Sequence, residues 1–223
     1  PAAVLHFKSC RKRAKPAVRR RRKKRRIRQA NEVFLMKYKV VDLVYIALGA
    51  VIIAVCSWIS IPTLVPFTLQ TFAVFCVLEL LGGRRGTAAI AVYILLGAIG
   101  VPVFSNFSGG LSSLLGMTGG YIIGFLLIGG LYWLAGALLP GRLSVRIGAL
   151  TLGLALCYAF GTAWFMLVYA GQFGPIGFGA ALMKCAVPFI IPDAVKMALA
   201  MLLAARLKKA LARQQSGRTA AQG

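Results

Sequence analysis

Two charges near the end of an apolar chain carry the clearest chemical signal. In Pro188-Phe189-Ile190-Ile191-Pro192-Asp193-Ala194-Val195-Lys196-Met197, Asp193 and Lys196 are the only ionisable side chains. On a helix, positions three apart share a face, so this carboxylate and this ammonium point into the same space. At membrane depth each charge costs about 2.5 to 3.5 kcal/mol on insertion scales, so the two need each other, a polar cavity or a ligand. Two readings are open on this evidence. The pair is the floor of a binding site, or it is a structural ion pair that neutralises itself and fixes helix packing.

The elements that must position the pair follow from composition. The chain is 59% hydrophobic, with a mean hydropathy of +0.80. Only four carboxylates occur in 223 residues: Glu32, Asp42, Glu79 and Asp193. A soluble domain is about a quarter charged, so an integral membrane protein is expected. The five cysteines, Cys10, Cys56, Cys76, Cys157 and Cys185, form no CxxC or His/Cys cluster, and the single histidine is His6. No metal site, cofactor or disulfide framework is expected. Nothing resembles a phosphate-binding loop, a nucleophile beside a base, or paired catalytic carboxylates. The chain does not read as an enzyme, and energy for active transport must come from elsewhere.

A net charge of +23 suggests nucleic acid until it is partitioned along the chain. Residues 1–35 hold 14 Lys and Arg against one acid, a net +13, and residues 36–223 hold 13 against three, a net +10. Arg19 to Arg26 is an unbroken run of eight bases without hydrophobic periodicity. Self-repulsion favours disorder there, and attraction to nucleic acid or lipid would be nonspecific. Residues 1–35 are expected to be an incidental disordered basic extension, with an ordinary start at Met36. A transit peptide and an anchor to anionic lipid are the rival readings.

Lipid offers no hydrogen bonds to a backbone, so helices are the default for the apolar segments. The pattern predicts six, at 41–60, 68–82, 85–101, 119–139, 143–170 and 187–208, within a membrane domain spanning 36–213 and followed by a disordered tail at 214–223. Lys37, Lys39, Arg84, Arg85, Arg142, Arg146 and the bases from Arg206 through Arg213 mark the ends and every second connection. Those faces are expected to be cytoplasmic, with both termini inside. Asp193 lies 13 residues before Arg206, roughly 20 Å along a helix, which puts the pair in the outer half of the membrane, open outward.

The outer connections add candidates. Ile61-Pro62-Thr63-Leu64-Val65-Pro66-Phe67-Thr68-Leu69-Gln70-Thr71 and Val101-Pro102-Val103-Phe104-Ser105-Asn106-Phe107-Ser108-Gly109-Gly110 mix prolines, aromatics and polar groups. Such loops cannot face lipid but can cap a cavity, with Phe104 and Phe107 as apolar walls and Asn106 as donor and acceptor. Gly119, Gly120 and Gly124 suit a close packing seam on the fourth helix, and Ala50 and Ala54 form a small-xxx-small face on the first.

Taken together, these stretches resemble the BioY family, the biotin-specific substrate-binding (S) components of energy-coupling factor (ECF) transporters, from Met36 over about 170 residues. The resemblance rests on Asp42-Leu43-Val44-Tyr45-Ile46-Ala47-Leu48, Val65-Pro66-Phe67-Thr68-Leu69-Gln70-Thr71, Gly82-Gly83-Arg84-Arg85-Gly86, Tyr93 through Phe104, Thr118-Gly119-Gly120-Tyr121 and Pro192-Asp193-Ala194-Val195-Lys196. It implies an all-α, six-helix S-component bundle in a prokaryotic cell membrane, with biotin as ligand. The implied partners are a transmembrane coupling subunit, docking on Ala50 and Ala54, and two ATPase subunits. By the same resemblance the ligand contacts are Asp193, Lys196 and Asn106, with Phe104, Phe107, Tyr93 and Trp164 suited by type to bury the ring. Glu79 departs from this pattern, since a small or apolar residue is expected in its helix. A stand-alone ion- or proton-coupled carrier, an S component for another vitamin, and a purely structural membrane protein are the alternatives.

Because residues 1–35 show no apolar periodicity that would let them pack, deleting them should leave folding and biotin affinity unchanged. Titration and a thermal melt of the truncated protein test this, and loss of insertion or affinity refutes it.

Overall fold

The computed structural model describes residues 39–61, 65–139 and 141–220, with side chains through 214. The basic extension expected at 1–35 lies outside the described residues, as do 221–223. Residues 39–44 form the first turns of helix α1, and the body of the molecule begins at Tyr45.

Helix α1 (Lys39–Trp58) leads into a short ribbon, in which β1 (Ser60–Ile61) pairs antiparallel with β2 (Phe67–Thr68). Helices α2 (Gln70–Leu81) and α3 (Gly83–Ala98) follow, then a 3-10 turn (Ser105–Phe107) and the short α4 (Leu111–Leu115). The chain continues through α5 (Gly119–Leu138), α6 (Leu143–Phe173), α7 (Phe178–Cys185) and α8 (Val187–Ala220). All six segments expected to be helical are helical. Helices α4 and α7, by contrast, lie in stretches read from sequence as connections. Glycines at 171, 174, 177 and 179 hid the eight-residue α7, whose inward face consists of Ala181 and Cys185. Helix α8 outlasts the expected 187–208, so residues 214–220, expected as a tail, have helical backbone.

Helices α1, α5, α6 and the stretch Phe178–Gln214 are each long and apolar enough to cross a membrane. Helix α2 is not. Its 12 residues reach about 18 Å, short of a hydrocarbon core of roughly 30 Å. It survives because protein rather than lipid surrounds it: Ala73 through Leu78 are all buried, against α3, α5 and α8. Such a helix can be apolar on every side.

Helices α5 and α6 pack extensively against each other, and the glycines expected to form a packing seam do so. A β-carbon on Gly120 would overlap the Trp164 side chain, and one on Gly124 would press on Cys157. Gly97 does similar work on α3, where the Phe104 ring lies against its backbone.

One expectation is corrected here. Ala50 and Ala54, expected to present a docking face to a coupling subunit, are only 2% and 6% exposed and belong to the chain's own core. The stripe they share with Gly49 faces inward, and a β-carbon on Gly49 would meet Ala89, Leu81 and Val77 of α3 and α2. Small residues on α1 therefore admit neighbours from the same chain, and it is Leu48, Val51, Ile52 and Val55 that face outward. Accordingly, Ala50→Trp should lower stability by about 1–3 kcal/mol or prevent folding through overpacking, as read by a thermal melt in detergent. A parental melt would return this stripe to the surface.

Candidate functional site

Helix α8 begins with two prolines, and the second deletes a backbone bond. Pro192 has no N–H to offer the carbonyl of Pro188, so the helix is locally loosened one residue before Asp193. Asp193 and Lys196 then point into the bundle, 2% and 6% exposed, with Nζ 2.8 Å from Oδ1.

Neighbouring elements complete the polar shell. Thr71 of α2 donates its hydroxyl to Asp193 Oδ1 at 2.8 Å, and Tyr158 of α6 donates to Oδ2 at 2.6 Å. Lys196 Nζ donates to the carbonyl of Thr68 at 2.7 Å and makes a longer contact of 3.3 Å with Thr71 Oγ1. It also lies 4.1 Å from the centre of the Phe67 ring, within range of a cation–π attraction. All three ammonium protons thus have acceptors, whereas Asp193 Oδ2 accepts a single bond among the described residues. A carboxylate offers about four acceptor positions, so one position on Oδ2 is open.

Asp193 lines a cavity of about 70 Å3. Asp193, Lys196, Thr68, Gln70, Thr71 and Tyr158 make its polar wall, and Tyr121, Ile122, Phe125, Leu154 and Phe189 are among its apolar lining. Small-molecule sites usually measure roughly 300–1,000 Å3, so a ring-sized ligand enters only if a wall moves. Val65, Cys185 and Phe189 belong to a small satellite cluster separate from the main core.

The other expected ligand residues lie apart from this cavity. Tyr93 is fully buried behind the wall, its hydroxyl accepting from Gln70 Nε2 at 2.7 Å, and Phe104 meets it edge-on at 5.5 Å. Trp164 donates to the carbonyl of Gly116 at 3.0 Å, bracing α6 against the α4–α5 turn. Phe107 is exposed and stacks on Trp58 at 5.0 Å. Asn106 is exposed in a left-handed conformation, φ 56°, and accepts from Ser60 Oγ at 3.1 Å; its neighbour Ser105 does line the cavity. Aromatic type does not tell which side of a helix a ring occupies. Thr71 and Tyr158 escaped the sequence reading, although Thr71 sits within the Pro66-Phe67-Thr68-Leu69-Gln70-Thr71 stretch singled out there.

Known proteins resemble this chain over most of its length. The sequence profile of the BioY family matches residues 26–213. A Thermotoga maritima protein named "Biotin transporter BioY" is 39% identical over 176 residues, 75% of this chain and 96% of its own. A Pyrococcus horikoshii "Probable biotin transporter BioY" is 40% identical, over 78% of this chain and 98% of its own. A solved structure described as the S-component for biotin from an ECF-type ABC transporter superposes with a TM-score of 0.67 at 27% identity, covering 78% of this chain and 93% of that one. The named relatives are transporters, not enzymes.

Tyr158→Phe removes the one hydroxyl on Asp193 Oδ2 among the described residues and should cost about 1–3 kcal/mol of stability. A melt matching the parent's would show that this bond contributes nothing to the fold.

Proposed function

The chain belongs to the BioY family, and on that footing we propose that it is the substrate-capture subunit of a biotin uptake transporter. One observation carries the reading: a buried carboxylate and a buried ammonium stand side by side in a cavity wall, with acceptor capacity left over. A ureido ring carries two N–H donors and one carbonyl acceptor. Its N–H fits the open position on Asp193 Oδ2, and its carbonyl fits the proton that Lys196 directs into the long contact with Thr71. Both bonds are charge-assisted. Asn106, adjacent to Ser105 on the wall, is the proposed third contact, its amide leaving Ser60 for the ring. Phe125, Leu154 and Phe189 offer apolar surface to the rest of the bicycle.

The proposed orientation has the cavity opening to the outside of a prokaryotic plasma membrane, with both termini cytoplasmic. It is supported by Arg84 and Arg85 at the start of α3, Arg142 and Arg146 at the start of α6, and the bases of late α8, all at helix ends remote from the cavity. The binding domain is placed at 36–213, with 1–35 a basic extension to it. ATP hydrolysis is assigned to two partner ATPase subunits acting through a transmembrane coupling subunit.

Asp193→Asn should weaken biotin binding by about 1.5–3 kcal/mol, some ten- to a hundredfold, while folding survives because Asn can still pair with Lys196. A purely structural pair behaves in the opposite order, with stability failing first because a buried charge is stranded. In Asp193→Asn/Lys196→Met a structural pair recovers its stability, whereas a ligand pair leaves binding lost. Isothermal titration with biotin beside a thermal melt distinguishes the two. A double variant that binds like the parent removes Asp193 and Lys196 from the site.

A further inference from the structure

A second ion pair, its carboxylate buried and its arginine part-exposed, lies at the other end of α2, and the proposed transport function makes no use of it. Glu79 is 0% exposed and forms an ion pair with Arg146 of α6. Its Oε1 accepts from Arg146 Nε at 3.2 Å and from the hydroxyl of Tyr132 on α5 at 3.1 Å. Arg146 Nε also lies 3.3 Å from that hydroxyl, closing a three-membered cluster. Lys208 of α8 is near enough for its charge and that of Arg146 to repel. None of these residues lines the cavity that holds Asp193.

Stability does not explain the cluster. Replacing a buried ion pair with apolar residues of similar volume is often neutral or stabilising, so the better-supported role for such a pair is to specify one geometry. Helix α2 needs that specification. Its middle, Ala73 through Leu78, is apolar and buried, and apolar packing loses uniqueness before it loses stability. Polar contacts pin the helix at its two ends: Thr71 to Asp193 and Lys196 at one, Glu79 to Arg146 and Tyr132 at the other. Eight residues, about 12 Å of rigid helix, join them.

We propose that Glu79, Arg146 and Tyr132 are positioning residues for ligand binding: they fix the height and rotation of α2, and through it the Thr71 hydroxyl and Thr68 carbonyl that orient Asp193 and Lys196. The cluster touches no ligand. It acts through α2, so its loss misplaces the polar wall even in a molecule that remains folded. The inference rests on the reading of Asp193 and Lys196 as the biotin contacts.

The test is a set of variants of the full chain in detergent, each titrated with biotin and melted without it. Glu79→Gln should bind biotin roughly two- to thirtyfold more weakly, the range seen when coupling residues remote from a ligand are changed. The deciding variant is Glu79→Leu/Arg146→Leu. It should recover or exceed the parental Tm while affinity stays low, whereas a cluster with only a structural role would recover both, and that outcome overturns the proposal. If the apolar pair does not fold, Arg146→Lys serves instead, because a single ammonium cannot reproduce the planar fork that spans Glu79 and Tyr132. Parental affinity in Arg146→Lys or Glu79→Gln likewise overturns the proposal. Asp193→Asn, run in parallel, separates the two claims: normal binding there defeats the biotin-site reading, while loss there with normal binding in the cluster variants defeats the positioning role alone.

Discussion

An ionised side chain inside hydrocarbon must find partners, and this fold is arranged around that requirement. Breaking a buried pair by removing one member typically costs about 3–5 kcal/mol, more than most single packing changes. Asp193 therefore draws donors from α2 and α6 as well as from its own helix, and Lys196 reaches across to a carbonyl of the ribbon. Glu79 draws on α5 and α6. Each buried carboxylate is thus a junction of three helices, and the helix between the two junctions is the shortest of the six expected from sequence.

That geometry accounts for features that look unrelated in one dimension. Helix α2 is too short to span, yet it is shielded on all sides. The ribbon before it supplies a backbone carbonyl where a regular helix would have hidden one, and this is the group Lys196 uses. Glycines on α3 and α5 let Phe104 and Trp164 seat against backbone, which stiffens the frame that holds the cavity. The cavity's other wall rests on the smaller cluster around Val65 and Cys185.

What the sequence made legible, and what it did not, follows from the same physics. Long apolar runs announce helices because the backbone has no alternative in lipid, and the Asp193-Lys196 spacing announces a shared face because helical geometry is fixed. Tertiary convergence has no comparable signature. Thr71 and Tyr158 lie 122 and 35 residues from Asp193, and nothing local marks their hydroxyls among many others. Small residues at Ala50 and Ala54 signal a close neighbour without saying whether it belongs to the same chain. Arg146 reads as a topology marker at a helix end, and only the structure shows that it also satisfies Glu79, the one charge that contradicts its own segment.

The two buried pairs show why residue type alone does not define a site. Both join a carboxylate to a cation, both are held by a tyrosine hydroxyl, and both are sequestered from solvent on the carboxylate side. They differ in what adjoins them. Asp193 keeps an acceptor position on Oδ2 and has a cavity beside it, so a ligand donor can be added without dismantling the pair. Glu79 accepts as many donors, two on Oε1 and Arg146 on Oε2, but it does not line that cavity. A buried ion pair can bind only where unused hydrogen-bonding capacity coincides with space. In this chain the coincidence occurs at the α8 end of α2, while the same chemistry at the other end serves the frame.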